Sequence, residues 1–297
     1  MRLSLAPMKR RVFVASLAAA SLPSRASAVP ELAGEIGITT GSFMRHLSAD
    51  AAPGKLRLLD LPRRMSGELG LRVIDLMTAT LAELTPAYCE KLRAEAGRCG
   101  CVLTNLKMNQ KGLDLGSPDK AVRDEALRVY KETIDLAAIL GVRWVRPLPM
   151  LQRPDLSVYK DSYRALIDYA KAKGIGVLVE NFGWMQGDPD AIPRLIAVVG
   201  DDLKSQPDTG NWTGNDVRYL GLEKAFPFAV SCDFKSRVLG PGGSHTEYDL
   251  KRCFEIGWKS GFRGPWCFEH FHQDLEQQFK EFALLRDMLR GWMNAAE

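Results

Sequence analysis

Residues 102–149 read VLTNLKMNQKGLDLGSPDKAVRDEALRVYKETIDLAAILGVRWVRPLP. Two short apolar runs, one starting at Val102 and one at Val142, flank a stretch in which Val122, Ala126, Val129, Ile134, Ala137 and Leu140 recur at helical spacing. Ser117-Pro118 reads as an N-cap followed by a first-turn proline, and Gly141 reads as the stop. Strand, helix and strand in that order make a parallel unit, because two parallel neighbours need a crossover between them.

The unit repeats. Further apolar runs begin near Ile36 (IGITTGSF), Val73 (VIDLMT), Val177 (VLVENFG), Leu203 (LKSQPDTGN), Ala229 (AVSCDFKS) and Trp266 (WCFEHFH), so that successive starts lie between 26 and 40 residues apart. Lys173-Gly174 closes another helix. From Asp274 to Trp292, Leu275, Phe279, Phe282, Leu285, Met288 and Leu289 describe a last amphipathic helix. Eight buried parallel strands predict an α/β fold, a (βα)8 TIM barrel forming a single domain over residues 29–297. The rival is an open doubly wound sheet, but no strand-to-helix turn carries G-x-G-x-x-G.

Residues 1–28 read as an export signal instead. Lys9, Arg10 and Arg11 precede an Ala-rich apolar stretch, and Ala26-Ser27-Ala28 offers a cleavage site; the paired arginines before x-Phe are of the twin-arginine type. This predicts a periplasmic or exported bacterial protein. The formal net charge of +4 belongs to that segment. It holds five bases and no acid, and removing those five from the 40 Lys and Arg leaves one fewer base than the 36 acids. Such a balance gives no electrostatic reason to expect nucleic acid or an anionic membrane as partner. The six cysteines lack zinc-site spacing; oxidising surroundings would permit disulfides, but most of the six fall in apolar patterns and read as buried free thiols.

In a barrel of this kind side chains from different strands converge at the C-terminal strand ends. Polar residues there are expected to work or to pair, since desolvating them is costly. Strand five ends in Glu180-Asn181, strand six in Asp208-Thr209-Gly210-Asn211, strand seven in Asp233-Phe234-Lys235 and strand eight in Glu269-His270-Phe271-His272. Lys107, Asn109 and Arg146 end strands three and four.

Four stretches, VLVENFG, QPDTGNW, Phe228 to Lys235, and Gly261-Phe262-Arg263-Gly264 leading to Phe268-Glu269, resemble the xylose-isomerase-like superfamily of sugar phosphate isomerase/epimerase barrels. The resemblance covers the chain after residue 28. It implies one divalent metal ion held by Glu, Asp, His and Glu at the ends of strands five to eight, which maps to Glu180, Asp208 and Glu269. At the third position the chain has Asp233 where many relatives have His. Asp233 as ligand gives an all-carboxylate set favouring Mn²⁺ or Mg²⁺, with Co²⁺ and Zn²⁺ open; His270, His272 or His245 completing the shell is the alternative, as is a weak or absent metal.

The implied activity is a sugar isomerase or epimerase that abstracts a proton next to a carbonyl through an enediolate, with Glu180 and Glu269 exchanging the proton. Asn211, Lys235, Arg146, Lys107 and His270 are the expected substrate contacts, and Trp184, Trp212 and Phe43 are candidates for stacking on a sugar face. Glu180 read blandly is a structural ion-pair partner of Arg146, and Asp208-Thr209-Gly210-Asn211 read blandly is a turn. Three other functions use the same barrel: a lyase or dehydratase on a keto-sugar or keto-inositol, a phosphodiesterase, and a non-catalytic sugar-binding protein. Four histidines in all and a near-neutral surface argue against the phosphodiesterase. The expected partner is a small carbohydrate.

Overall fold

In the computed structural model, which describes residues 30–50, 52–237 and 239–297, eight strands follow one another with a helix after each. The strands are β1 (Ile36–Thr39), β2 (Val73–Met77), β3 (Val102–Met108), β4 (Trp144–Pro147), β5 (Gly176–Val179), β6 (Leu203–Ser205), β7 (Cys232–Arg237) and β8 (Trp266–His270). All the ladder pairings are parallel, in the order β6-β5-β4-β3-β2-β1-β8-β7. β6 and β7 meet through isolated bridges, Ser205 with Ala229 and Asp208 with Asp233. Val230 N also donates to Ser205 O at 3.1 Å and Asp233 N to Pro207 O at 2.9 Å. These contacts close the sheet, and the fold is a single-domain (βα)8 barrel.

The outer layer is α1 (Leu61–Arg64), α2 (Pro86–Arg98), α3 (Lys120–Leu140), α4 (Leu156–Lys171), α5 (Ala191–Val199), α6 (Asn215–Ala225), α7 (Leu250–Lys259) and α8 (Leu275–Ala296). The helical face expected before Gly141 is there, and Gly141 ends α3 with φ of 72°, where a Cβ would be strained. The cap differs from expectation: Asp119, not Ser117, caps α3, its carboxylate accepting from Ala121 N at 2.8 Å. Ser117 Oγ accepts from Asp119 N and so builds the turn one step earlier. β7 begins three residues later than Ala229, because Phe226–Phe228 forms a 3-10 turn first. The export segment, residues 1–28, lies outside the described residues. Among the described ones, no helix is long and apolar enough to cross a membrane.

Two apolar layers sandwich the sheet. The larger fills the space between strands and helices, for example Ile38, Leu106, Val145 and Val179 against Tyr130, Leu166 and Phe282. The smaller plugs the barrel floor with Leu32, Val73, Trp144, Leu178, Val230 and Cys267. Above that plug the interior turns polar, which is where the chemistry collects.

All six cysteines are free. Burial raises the thiol pKa of Cys89 and Cys101 to about 11 and of Cys253 to about 12, and pushes Cys232 and Cys267 well above the usual thiol range. A buried thiol with so little thiolate is inert at neutral pH. In native protein at pH 8 a thiol-specific disulfide reagent therefore titrates Cys99 alone, and unfolding releases the other five; rapid reaction of a second thiol would contradict this.

Candidate active site at the C-terminal rim of the barrel

Side chains of a strand alternate between the two faces of the sheet, so inward positions repeat every second residue. In β2 they are Val73, Asp75 and Met77, in β3 Asn105 and Lys107, in β4 Trp144 and Arg146. Registers place Asp75 beside Thr39 and Asn105, and Lys107 beside Met77 and Arg146. From the other half come Glu180, Gln206, Asp208, Asp233, Lys235 and Glu269. Two polar tiers result.

The lower tier is Asp75, Asn105 and Gln206, all fully buried. Gln206 Nε2 donates to Asp75 Oδ2 at 2.6 Å, and Asn105 Nδ2 donates to Gln206 Oε1 at 2.8 Å. Lys107 rises from this tier. Its ammonium sits 2.6 Å from Asp233 Oδ1, 3.0 Å from Thr39 Oγ1 and 4.0 Å from Asp75 Oδ2. Burial alone would strip Lys107 of its proton, but Asp233 and Asp75 overcome that and hold its pKa above the usual lysine value.

The upper tier is a chain of contacts running across the mouth. Arg146 Nη2 lies 2.8 Å from Glu180 Oε2. Asn211 Nδ2 donates to Glu180 Oε1 at 2.8 Å, and Lys235 Nζ donates to Asn211 Oδ1 at 3.0 Å. Lys235 Nζ also pairs with Asp208 Oδ2 at 2.8 Å and Glu269 Oε1 at 3.2 Å. Glu180 and Glu269 thus stand at the two ends of a bridge made by Asn211 and Lys235. Both line a cavity of about 260 Å³ together with Lys107, Arg146, Phe182 and Met77.

The loop after β6 is a turn and a site at once. Asp208 Oδ1 accepts from Gly210 N at 2.6 Å and Asn211 N at 3.0 Å, which is how a short polar side chain shapes a turn. Asn181 fastens the loop from β5, accepting from Asp208 N at 2.7 Å and donating to the carbonyls of Asp208 and Asn211. Asp208 Oδ2 is left facing the interior.

Whether a divalent ion fits can be judged from the donors. Ligand atoms of Glu180, Asp208 and Asp233 lie within 4.8 Å of one another. Glu180 Oε2, Asp208 Oδ2 and Asp233 Oδ2 are buried and accept no aligned hydrogen bond, so the contacts of the first two with Arg146 and Lys235 are coulombic and all three oxygens keep lone pairs. The two tiers hold five acids, Asp75, Glu180, Asp208, Asp233 and Glu269, against three bases, Lys107, Arg146 and Lys235, and are two positive charges short. Lacking those charges, burial raises the pKa of Asp75, Glu180 and Asp233 above the carboxylate range. Three hard oxygen donors with a deficit of two charges suit a divalent cation. Glu269, expected as a fourth ligand, is outside the triad and is held by Lys235 instead.

Other expectations need correction. His270 is turned away from the cavity: β8 points Glu269 inward and His270 outward, where its Nε2 meets Glu281 Oε2 at 2.5 Å and its ring packs on Phe282. His272 is turned back on Asp274, and His245 packs on Tyr248 in the β7–α7 connection. Neither joins the carboxylate cluster. Phe43 is core, packed against Phe279 and Phe282. Trp212 is anchored by its Nε1 to Asp208 O, and Trp184 lies beside Arg153. Lys107, Arg146, Asn211 and Lys235 do line the cavity, and Asn109 lies at its edge. Sequence reading missed Asp75, Asn105 and Gln206. The signal was present in VIDLMT, where a lone acid occupies an inward position of an otherwise apolar strand.

The fold has known counterparts. The family described as "Xylose isomerase-like TIM barrel" matches residues 65–293. L-ribulose-5-phosphate 3-epimerase UlaE of Salmonella heidelberg is 25% identical over 203 residues, covering 61% of this chain and 69% of that one. Among solved structures, D-psicose 3-epimerase from Clostridium cellulolyticum H10, determined with D-tagatose, superposes with a TM-score of 0.65 at 15% identity, covering 88% of this chain and 98% of that one. A xylose isomerase-like TIM barrel protein from Mycobacterium smegmatis in complex with magnesium gives a TM-score of 0.62 at 19% identity, covering 91% and 99%. With a match spanning most of its length, this chain belongs to the xylose isomerase-like TIM barrel family.

Proposed function

We propose that the protein is a divalent-metal-dependent sugar epimerase or isomerase, acting on a free keto- or aldo-sugar after export. The observation that carries the reading is the placement of Glu180 and Glu269 on one cavity, joined through Asn211 and Lys235. Two carboxylates on opposite sides of a bound sugar are what removal and return of a proton at one carbon requires. The names of two of the relatives support the class, since they are epimerases, and none gives the elimination alternative support. The export half of the proposal rests on residues 1–28 alone.

Glu180, Asp208 and Asp233 would hold the ion. When bound, it supplies a positive charge that polarises the sugar's hydroxyl and carbonyl oxygens and offsets the enediolate charge. Glu180, whose basicity burial increases, takes or returns the proton on one face. Glu269 does so on the other, kept in place by Lys235. Asn211 fixes the Glu180 carboxylate by occupying Oε1, and Arg146 keeps it from drifting outward. Phe182, Met77 and Leu148 give the cavity an apolar wall that excludes bulk water from the reacting carbon.

The test is incubation of keto- and aldo-sugars in D₂O with Mn²⁺ or Mg²⁺, read by NMR. One carbon next to the carbonyl should acquire deuterium, and chelator should stop the exchange. A metal-replete protein that labels none of the sugars would overturn the reading.

A further inference from the structure

The Lys235 ammonium is held as a bound cation would be. Three oxygens, two from the loop after β6 and one from β8, surround it: Asn211 Oδ1 at 3.0 Å, Asp208 Oδ2 at 2.8 Å and Glu269 Oε1 at 3.2 Å. One of these, Asp208 Oδ2, is the oxygen that Asp208 has free for a metal, because Oδ1 is taken by two main-chain N–H groups. The side chain reaches this point by lying across Gly210, where a Cβ would come within 2.5 Å of Lys235 Cδ. Lys235 is nine-tenths buried and is the β7 residue two positions after Asp233, so it enters the cluster from the same strand face.

We propose that Lys235 is a built-in competitor of the divalent ion, which rests on the metal-dependent reading above. While the ammonium holds Asp208 and Glu269, the two carboxylates stay together without a metal. Entry of the ion on Asp208 Oδ2 expels the ammonium from that oxygen, since two cations cannot share it at contact distance in a buried site. The displaced Lys235 then points into the cavity, where its charge meets the sugar oxygens. Lys235 thereby sets how tightly the site binds metal and couples metal entry to the arming of a substrate contact.

Two measurements on the full-length mature protein test this. The first is calorimetric titration with Mn²⁺ of the wild type and of Lys235→Met, whose unbranched side chain follows the same path across Gly210. At the strength of buried charge repulsion, the variant should bind at least about 10-fold more tightly. The second is reductive methylation of wild-type lysines with and without Mg²⁺, quantified by peptide mass spectrometry. Lys235 should be protected without metal and methylated several-fold faster with it, while exposed lysines such as Lys120 and Lys171 serve as the internal standard. Equal or weaker Mn²⁺ binding by Lys235→Met overturns the proposal. Tighter binding with no change in Lys235 labelling also overturns it, because the effect would then be charge at a distance and not displacement. Failure of both proteins to bind Mn²⁺ is a distinct result that removes the metal-dependent reading together with this one.

Discussion

Glu180→Gln lowers the rate of solvent-deuterium incorporation by about 10²–10⁴-fold from the epimer whose hydrogen faces Glu180, the range expected when a general base is removed. The substitution is nearly isosteric. Its amide oxygen still accepts from Asn211 Nδ2, so the loop after β6 keeps its anchor, and the variant should melt within a few degrees of the wild type. What it loses is the carboxylate that burial makes more basic than usual and that Arg146 steadies. Glu269→Gln has a comparable effect from the other face. It differs in one respect: a variant lacking one base still exchanges the proton of the epimer whose hydrogen faces the remaining glutamate. Exchange measured from each epimer separately therefore distinguishes the two. Wild-type exchange in either variant, with both epimers, would take that glutamate out of the mechanism.

Lys107→Met has the largest expected effect on stability. The ammonium is fully buried between Asp233 and Asp75, and removing it leaves two buried acids facing each other with only Arg146, outside contact distance, as counter-charge. Breaking a buried pair in this way costs about 3–5 kcal/mol at neutral pH. The pH dependence has a definite sign. Asp75 and Asp233 already have raised pKa values from burial, and loss of Lys107 raises them further. A carboxylate with a raised folded pKa contributes stability that is present below its unfolded value, near 4, and that is lost as pH rises through the folded value. The variant should accordingly lie closest to wild type near pH 5 and fall furthest behind at pH 8. Denaturant melts at the two pH values check this, and a stability deficit that grows on acidification would contradict it. Saturating divalent metal should recover part of the loss at pH 8, because the ion replaces positive charge beside Asp233.

The barrel was legible because its signals are local. Most strands sit in short apolar runs, β-branched in β1 to β5, and α3 and α4 carry their own faces and stops, so Gly141 and Gly174 could be read without knowing any neighbour. The candidate rim was partly legible for the same reason: Glu180 and Glu269 each follow an apolar run at a strand end where acids are otherwise costly, whereas Asp208 lies in the loop after β6 and Asp233, expected at the end of its strand, is the second residue of β7. The side-chain direction of the last strand was harder. Glu269 and His270 are adjacent, and whichever faces the interior, the other must face α8. Only the register of β8 against β1 and β7 decides that Glu269 is the inward one.

By itself, then, the sequence determined the eight-fold alternation, the single barrel and the four strand regions, β5 to β8, at which acids gather, since all of these are fixed by periodicity and burial cost along the chain. Tertiary structure alone decided which cation each acid meets. Lys107 with Asp233, Arg146 with Glu180 and Lys235 with Asp208 and Glu269 are pairs between 27 and 126 residues apart in the chain, and no local pattern encodes them. Closing the barrel brings these groups to one low-dielectric mouth, where partners are chosen by distance and unscreened charge.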